Sequence, residues 1–201
     1  MKTYICILSL FSSLLMSCSR DILDRTIFIP DENNPELPAY TEWGYNSFGA
    51  FFERNVLVST HDIIPCKVVY ENNMLSFSLI GQLRQYSWSS HAFEKTTLTF
   101  SFPLSEVKTI EDLSILHDTK IDLAEHTIVD MRIENIPAYT LDVLSGEIHF
   151  RRFQLLRVDG MLNRIILSGT FDLRFIRNEM PESISLGRFD IGLTERDFLS
   201  Y

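Results

Sequence analysis

The stretch Ile165–Phe175 has the sequence IILSGTFDLRF, and its alternating character decides the fold class. Every second residue from Ile165 onward is apolar or glycine, and the residues between them, from position 168 onward, are Ser, Thr, Asp and Arg. Because successive side chains of a strand point to opposite faces, this period of two predicts a strand with one buried and one solvated face. One-sided burial of this kind is typical of antiparallel sheets.

The same alternation recurs in shorter segments on both sides of this stretch. It is found at residues 75–79, 97–102, 147–151 and 188–194, where Leu, Ile and Phe alternate with mostly polar residues. Two turn signals, Asn72-Asn73 and Asp159-Gly160, separate apolar runs and consist of residues that accept the positive φ of tight hairpins. Residues 104–117 lack the alternation and follow a proline, which predicts a helical turn or two there.

These segments together predict an all-β fold over residues 46–201. About nine strands in one domain indicate a single antiparallel β-sandwich or flattened barrel, with one short helical-turn segment. The chain has 15 Phe, most of them on alternating strands, and these can fill the core of such a domain. A chain of this size buries roughly 70% of its unfolded surface, so it needs no metal ion to hold it together.

Composition and charge exclude several classes of protein. Apolar residues make up 45% of the chain and charged residues 22%, which is typical of a globular protein rather than a disordered one. The 27 acidic side chains outnumber the 18 basic ones, which argues against nucleic-acid binding because that function requires a basic face. The three cysteines, at positions 6, 18 and 66, are too few for a disulfide scaffold.

Residues 1–17 are predicted to be a lipoprotein signal peptide rather than part of the fold. Lys2 is the only charged residue before Arg20, and Tyr4–Met16 is an apolar or small run of 13 residues. That is the length of a signal-peptide core, whereas a helix that spans a bilayer needs about 20 residues. The alternative is a buried core helix, although a globular protein rarely begins with such a run behind a lone lysine.

The end of this run carries a lipidation signal. The residues Leu15-Met16-Ser17-Cys18 resemble the lipobox, the bacterial signal for cleavage before a cysteine that carries lipid. The resemblance implies that Cys18 is the first mature residue and bears acyl chains on its sulfur and its amine. Because more than one acyl chain gives stable anchoring, we predict a protein held at the cell outer membrane, facing either the periplasm or the outside.

Residues 18–45 are predicted to be the lipid anchor and a tether. They are polar and marked by proline, as in the segment DENNPELP at residues 31–38, and show little periodicity. The β-domain would then begin at residue 46. With Cys6 removed and Cys18 acylated, Cys66 is the only free cysteine of the mature chain, so no intramolecular disulfide is predicted.

Motifs near the two ends of the predicted domain resemble a known family. The sequences NSFG at residues 46–49, SGTF at residues 168–171 and GRFD at residues 187–190 are similar to motifs of small uncharacterised lipoproteins of Bacteroides-type bacteria. In that family the first motif is usually N-T-F-G, so Ser47 here stands in the place of a threonine. The resemblance implies an anchored all-β domain with no established activity, in which Phe48, Phe171 and Phe189 lie in the core.

Local motifs of the common enzyme classes are missing from the sequence. It contains no HExxH or CxxC spacing, no GxSxG and no Gly-rich phosphate loop, so we predict no cofactor, no metal site and no enzymatic activity. The neighbours His61-Asp62 and His117-Asp118 resemble a base and its orienting carboxylate, but adjacent residues on a strand point to opposite faces. Cys66 is interpreted as a half-buried strand residue, because a catalytic thiol needs a base beside it.

Aromatic residues supply the best indication of binding. Tyr86 and Trp88 lie in the segment QLRQYSWSSH among amides, hydroxyls and a charge, and Trp43 lies in the predicted tether. Flat rings beside hydrogen-bonding groups suit glycan stacking or a protein interface. We therefore take Trp88, Tyr86 and Trp43 as candidate ligand-binding residues. In the alternative interpretation, Trp88 caps the domain and Trp43 pins the tether onto it.

Three hypotheses for the function follow from these observations. The first is an envelope-anchored lipoprotein whose β-domain binds or scaffolds a glycan or an envelope protein without catalysis. The second is a glycan-binding accessory protein of an outer-membrane nutrient-uptake system, based on the three aromatic residues and the envelope location. The third is a hydrolase with a dispersed site that uses His61 or His117.

Overall fold

The computed structural model describes residues 25–60, 65–86 and 91–201, and for residues 85, 86, 91 and 92 it describes the backbone alone. Short 3₁₀ helices lie at Ile110–Leu116 and Glu195–Asp197. The strands are β1 (Ser47–Phe52), β2 (Asn55–Val58), β3 (Cys66–Glu71), β4 (Met74–Tyr86), β5 (His91–Pro103), β6 (Thr119–Asp122), β7 (Ile128–Ile133), β8 (Tyr139–Thr140), β9 (Asp142–Val158), β10 (Met161–Arg177), β11 (Met180–Leu193) and β12 (Phe198–Ser200).

The twelve strands of the described chain form one continuous sheet. Its order is β6-β9-β10-β11-β1-β2-β4-β5-β7-β8, and β3 shares one edge of β4 with β2. All of these pairs are antiparallel, and the short β12 adds to β3 in parallel. The prediction of a single antiparallel all-β fold is therefore confirmed, with twelve strands in the described residues rather than about nine. The additional strands include β6, β8 and β12, which have four residues or fewer and are too short to show a period of two.

The sheet curls into a half-barrel so that its two ends face each other across a core rich in phenylalanine. Phe77 of β4 lies 5.3 Å from Phe150 of β9 between ring centroids, and 5.0 Å from Phe189 of β11. Phe100 of β5 contacts Phe171 of β10 in the same way, at 5.3 Å. Edge-to-face contacts of this kind add to the free energy gained by removing the rings from water.

The predicted turns and the predicted helical segment are found in their places. Asn72 and Asn73 have φ of 51° and 61°, and Asp159 and Gly160 have φ of 52° and 80°. Positive φ at both central residues is the geometry of a tight hairpin turn, whose twist matches that of the flanking strands. The helical turn predicted within residues 104–117 is the 3₁₀ helix Ile110–Leu116, which buries three of its aliphatic side chains.

Three phenylalanines singled out in the sequence motifs are buried: Phe48, Phe171 and Phe189 are each at most 2% exposed. Gly169 explains how such rings fit on neighbouring strands. A Cβ atom at position 169 would lie 2.6 Å from the Phe189 ring and would collide with the carbonyl oxygen of His149. A glycine at this point of β10 therefore allows the close approach of β9 and the Phe189 ring.

Residues 26–46, which we call the strap, lie against the outer face of the sheet. Leu37 is fully buried in a small apolar cluster with Val56 and Val58, separate from the main core. The two ends of the strap approach each other, because the Ile27 N–H donates to the carbonyl oxygen of Tyr45 at 2.8 Å.

An ion pair also fastens the strap to β11. Arg188 Nη1 lies 2.7 Å from Asp31 Oδ2, and the other carboxylate oxygen of Asp31 accepts the N–H groups of Asn33 and Asn34 in a turn. The part of the predicted tether that the structure describes thus packs on the domain. Its lack of periodicity reflects irregular backbone held by side chains, and residues 26–45 pack on the domain instead of extending from it.

Candidate binding surface on the strap

Of the residues predicted to bind a ligand, Trp43 is the one whose side chain the structure describes. Its ring is 72% exposed on the strap. Trp88 and the lipidation residue Cys18 lie outside the described residues. The backbone of Tyr86 ends β4 and pairs with His91, while its side chain is outside the description. The alternative in which the Trp43 ring pins the strap to the domain is wrong, because the ring faces solvent.

The backbone around Trp43 is held by a buried carboxylate. Asp190 of β11 is 1% exposed and points to the outer face of the sheet, where it accepts four hydrogen bonds from the strap. Its donors are the backbone N–H groups of Trp43, Gly44 and Tyr45, at 3.1, 2.7 and 3.2 Å, and the Thr41 hydroxyl at 2.5 Å. A carboxylate satisfied by several backbone N–H groups fixes the loop in one conformation, so Trp43 is presented on a rigid support.

Polar side chains beside Trp43 form a connected network. The Tyr40 hydroxyl donates to Glu42 Oε1 at 2.9 Å, and Arg152 Nη1 of β9 donates to Glu42 Oε2 at 3.0 Å. The other end of the Arg152 guanidinium donates to Gln154 Oε1 at 2.9 Å. This network links the strap to the outer face of β9 and holds four polar groups in place.

The pKa values of the two titratable groups in this network, Tyr40 and Glu42, are shifted in opposite directions. Burial raises the pKa of Tyr40 to about 12, and the neighbouring negative charge of Glu42 acts in the same direction. Burial alone would raise the pKa of Glu42, but the hydrogen bonds from Tyr40 and Arg152 and the positive charge of Arg152 outweigh it and lower that pKa. At neutral pH Tyr40 is therefore a hydroxyl donor and Glu42 a carboxylate acceptor.

A cleft of about 510 Å³ lies next to the Trp43 ring. Its walls combine the rings of Tyr40 and Trp43 and the aliphatic side chains of Leu156 and Ile166 with the polar network. An exposed flat ring beside fixed hydrogen-bond donors and acceptors is suited to a ligand that is apolar on one face and polar at its edges. Sequence pattern indicated Trp43 for this surface but not the polar groups beside it. Glu42 is its neighbour in sequence, but Arg152 is 110 residues away from Glu42 and reaches it only through the fold.

The described histidines do not form base–carboxylate pairs with their sequence neighbours. His149 Nε2 lies 2.9 Å from Asp118 Oδ1, so the carboxylate partner of His149 is 31 residues away in sequence. His117 Nδ1 accepts the backbone N–H of Phe153 at 3.1 Å. His117 and Asp118 thus contact other residues rather than each other, as predicted, although they lie in a turn and not on a strand. His61 and Asp62 lie outside the described residues.

Cys66 is a core residue at the start of β3 rather than a half-buried one. It is 3% exposed, and burial raises the pKa of its thiol well above the ordinary value, assisted by the negative charge of Asp197. A thiol held protonated and away from solvent is a poor nucleophile. Across the described residues there is also no group of three or more His, Cys, Asp or Glu side chains that could hold a metal ion.

Comparison with known proteins finds no matching family model, no similar curated protein and no similar solved structure. The part of the chain that the structure describes contains no helix both long enough and apolar enough to cross a membrane.

Proposed function

We propose that this chain is an envelope-anchored lipoprotein whose β-domain binds its ligand without catalysis, and that the ligand is a glycan. The observation that supports a glycan is the exposed Trp43 ring, set on a backbone fixed by Asp190 beside a polar cleft. Sugar rings have apolar faces, which pack on aromatic rings, and a rim of hydroxyls, which take up hydrogen bonds. Glu42, Arg152 and Gln154 supply acceptors and donors at the edge of the ring.

The anchoring part of the proposal rests on the LMSC sequence at residues 15–18. It is tested by growing cells with a labelled fatty acid and following the label on the protein. The expected result is a labelled wild type and an unlabelled Cys18→Ser variant. Cys6→Ser is the matched control, because this cysteine lies in the predicted signal peptide and should leave labelling unchanged. A mature N-terminus other than acylated Cys18 would overturn the anchoring proposal.

The binding part is tested with full-length protein in detergent on an immobilised glycan panel. Replacing an aromatic residue at the centre of a binding surface commonly costs about 2 kcal/mol, so we expect Trp43→Ala to weaken retention by roughly 30-fold. Tyr201→Ala is the matched control, because Tyr201 is 78% exposed and lies beside β3, where its N–H donates to the Tyr70 carbonyl oxygen. Equal retention of wild type and Trp43→Ala, or no retention on any glycan, would contradict the assignment.

A further inference from the structure

A second cleft adjoins the Trp43 surface at Tyr40 and carries a different chemistry. It has a volume of about 540 Å³ and lies between Tyr40 and the outer face of β10 and β11. Three arginines line it, Arg151, Arg174 and Arg188, together with the single carboxylate Asp172. Hydroxyl groups complete the lining: Thr170, Ser183 and Ser185. We call this the arginine cleft.

Arg151 is directed at the cleft by an irregularity in β9. In the pairing of β9 with β10, Arg152 lies opposite Ser168 and Phe150 lies opposite Gly169, so Arg151 is an extra residue without a partner. Such a bulge bends the strand and changes the direction of the side chain. The guanidinium of Arg151 lies over the Tyr40 ring, with 5.2 Å between its central carbon and the ring centroid. Tyr40 thereby contacts a charged side chain in each cleft: its ring lies under Arg151, and its hydroxyl donates to Glu42.

The charges around the cleft are only partly compensated. Arg188 is paired with Asp31 at 2.7 Å. Among the described residues, by contrast, neither Arg151 nor Arg174 forms an ion pair, and Asp172 lies outside ion-pair distance of any cation. Elsewhere in the described chain, Arg152, Arg157 and Arg177 each pair with a carboxylate. Glu53 also stands at the rim, where it accepts the Ser183 hydroxyl at 3.0 Å. The cleft therefore gathers three guanidinium groups, and those of Arg151 and Arg174 are available to an anion.

The backbone at the edge of the cleft is strained. Leu186 has φ of 52°, a left-handed conformation that is unfavourable for leucine, and its side chain is 49% exposed. It lies in a second bulge, where Ser185 and Leu186 stand opposite Asp172 in the pairing of β11 with β10. Strained residues that persist in a fold are concentrated at binding and catalytic sites.

We infer that the arginine cleft binds the carboxylate or sulfate group of an acidic saccharide whose neighbouring sugar ring lies on the Trp43 surface. This inference rests on the proposed glycan-binding function and specifies the class of glycan. Guanidinium groups bind oxyanions through paired N–H donors, and Arg151 and Arg174 have these donors available. Because Tyr40 lines both clefts, one oligosaccharide occupies them together.

The test compares acidic polysaccharides with neutral ones of the same backbone. Full-length protein in detergent is applied to polygalacturonate and its methyl ester, and to dextran sulfate and dextran. We expect retention on at least one acidic polymer to exceed that on its neutral partner by roughly 10-fold or more, since charge-assisted hydrogen bonds contribute about 1.5–3 kcal/mol. The two pairs distinguish a carboxylate ligand from a sulfate ligand. Added salt should reduce the preference by screening the charges.

Variants assign the preference to the cleft. The double variant Arg151→Gln/Arg174→Gln should lose the preference for the acidic polymer over its neutral partner. Arg132→Gln/Arg196→Gln is the matched control, because it removes the same charge from exposed positions outside the cleft. Near-identical thermal unfolding of all variants shows that folding is intact.

Each other outcome is decisive. Equal retention on acidic and neutral polymers overturns the acidic-saccharide inference but leaves the glycan proposal standing. A preference that both double variants lose equally also overturns it, since net charge rather than the cleft would then be responsible. Absence of retention on every polymer overturns the inference and the proposed function together.

Discussion

The outer face of the sheet is treated in two different ways in this protein. On β10 and β11 the strap covers it, so that outward-pointing Ser168 and Asp190 are at most 1% exposed. On β4 and β5 the outer face is open, and its polar residues pair with each other across the strands. Ser76 lies 2.8 Å from Ser101 between hydroxyl oxygens, for example. Both regions are polar in sequence, but among the described side chains the buried carboxylate Asp190 lies under the strap.

The difference shows what a polar outer residue is used for. Beneath the strap, Asp190 has been taken out of water and must be satisfied by protein donors, so it binds strongly and determines a conformation. On the open face, a lost hydroxyl–hydroxyl bond can be replaced by water at little cost. We therefore expect substitutions of similar size to have large effects under the strap and small effects on the open face.

The largest effect should follow from removing the buried carboxylate. Asp190→Ala leaves three backbone N–H groups and the Thr41 hydroxyl without their acceptor, which should lower the free energy of unfolding by roughly 3–5 kcal/mol. Urea unfolding measures this loss. Asp130→Ala is the control at a half-exposed position of β7, where one hydrogen bond from Thr140 is lost and the expected cost is below about 1 kcal/mol. Similar losses in the free energy of unfolding for the two variants would contradict the predicted difference between covered and open regions of the outer face.

The next largest effect tests whether the strap is part of the domain. Leu37→Ala creates a cavity among Val56 and Val58 and should destabilise the whole protein by roughly 3 kcal/mol. Ile29→Ala, in the same strap but 42% exposed, should cost less than about 1 kcal/mol. Unfolding followed by tryptophan fluorescence and by circular dichroism should give the same transition, because the strap unfolds together with the sheet. A Leu37→Ala protein of unchanged stability would mean that the strap contributes nothing to the fold.

A smaller effect is expected in alkaline solution. Because burial raises the pKa of Tyr40 to about 12, the folded state keeps this proton after the unfolded state has lost it at its ordinary pKa of 10.0. Stability from this group is thus complete below about pH 10 and is lost as the pH rises toward 12. Absorbance titration of wild type and Tyr40→Phe should differ by one phenol that titrates late. If the phenol that is lost in Tyr40→Phe is instead one that titrates near pH 10, the raised pKa of Tyr40 would be contradicted.

The smallest effect belongs to the open face. Ser78→Ala removes a half-buried hydroxyl that lies 2.9 Å from the Thr99 hydroxyl, and should cost only about 0.5 kcal/mol. The double variant Ser78→Ala/Thr99→Val should be no less stable than the single variant, because it leaves no partner unsatisfied. Denaturant midpoints measure both. A loss of more than about 2 kcal/mol in the free energy of unfolding would contradict this, because water would then not replace the lost hydrogen bond.

Much of the fold was predictable from local pattern, for a physical reason. Alternation in Ile165–Phe175 reports which side chains face the core, and Asp and Gly are residue types that accept the positive φ found at Asp159-Gly160. Where strands have only two to four residues, as in β6, β8 and β12, the period of two cannot be seen, so these strands were missed. The strap was missed as well, because contacts rather than periodicity hold irregular backbone in place.

By itself, the sequence determined an antiparallel β-domain with a Phe-rich core and an aromatic residue, Trp43, that was a candidate for binding. Tertiary structure alone decided that Asp190 holds the Trp43 loop and that Arg151 and Arg174 lie around one cleft. These residues are brought together by strand pairing and by two bulges. Alternation along a chain reveals the face on which a residue lies, whereas its neighbours on that face depend on register and curvature, which arise only when the whole sheet has formed.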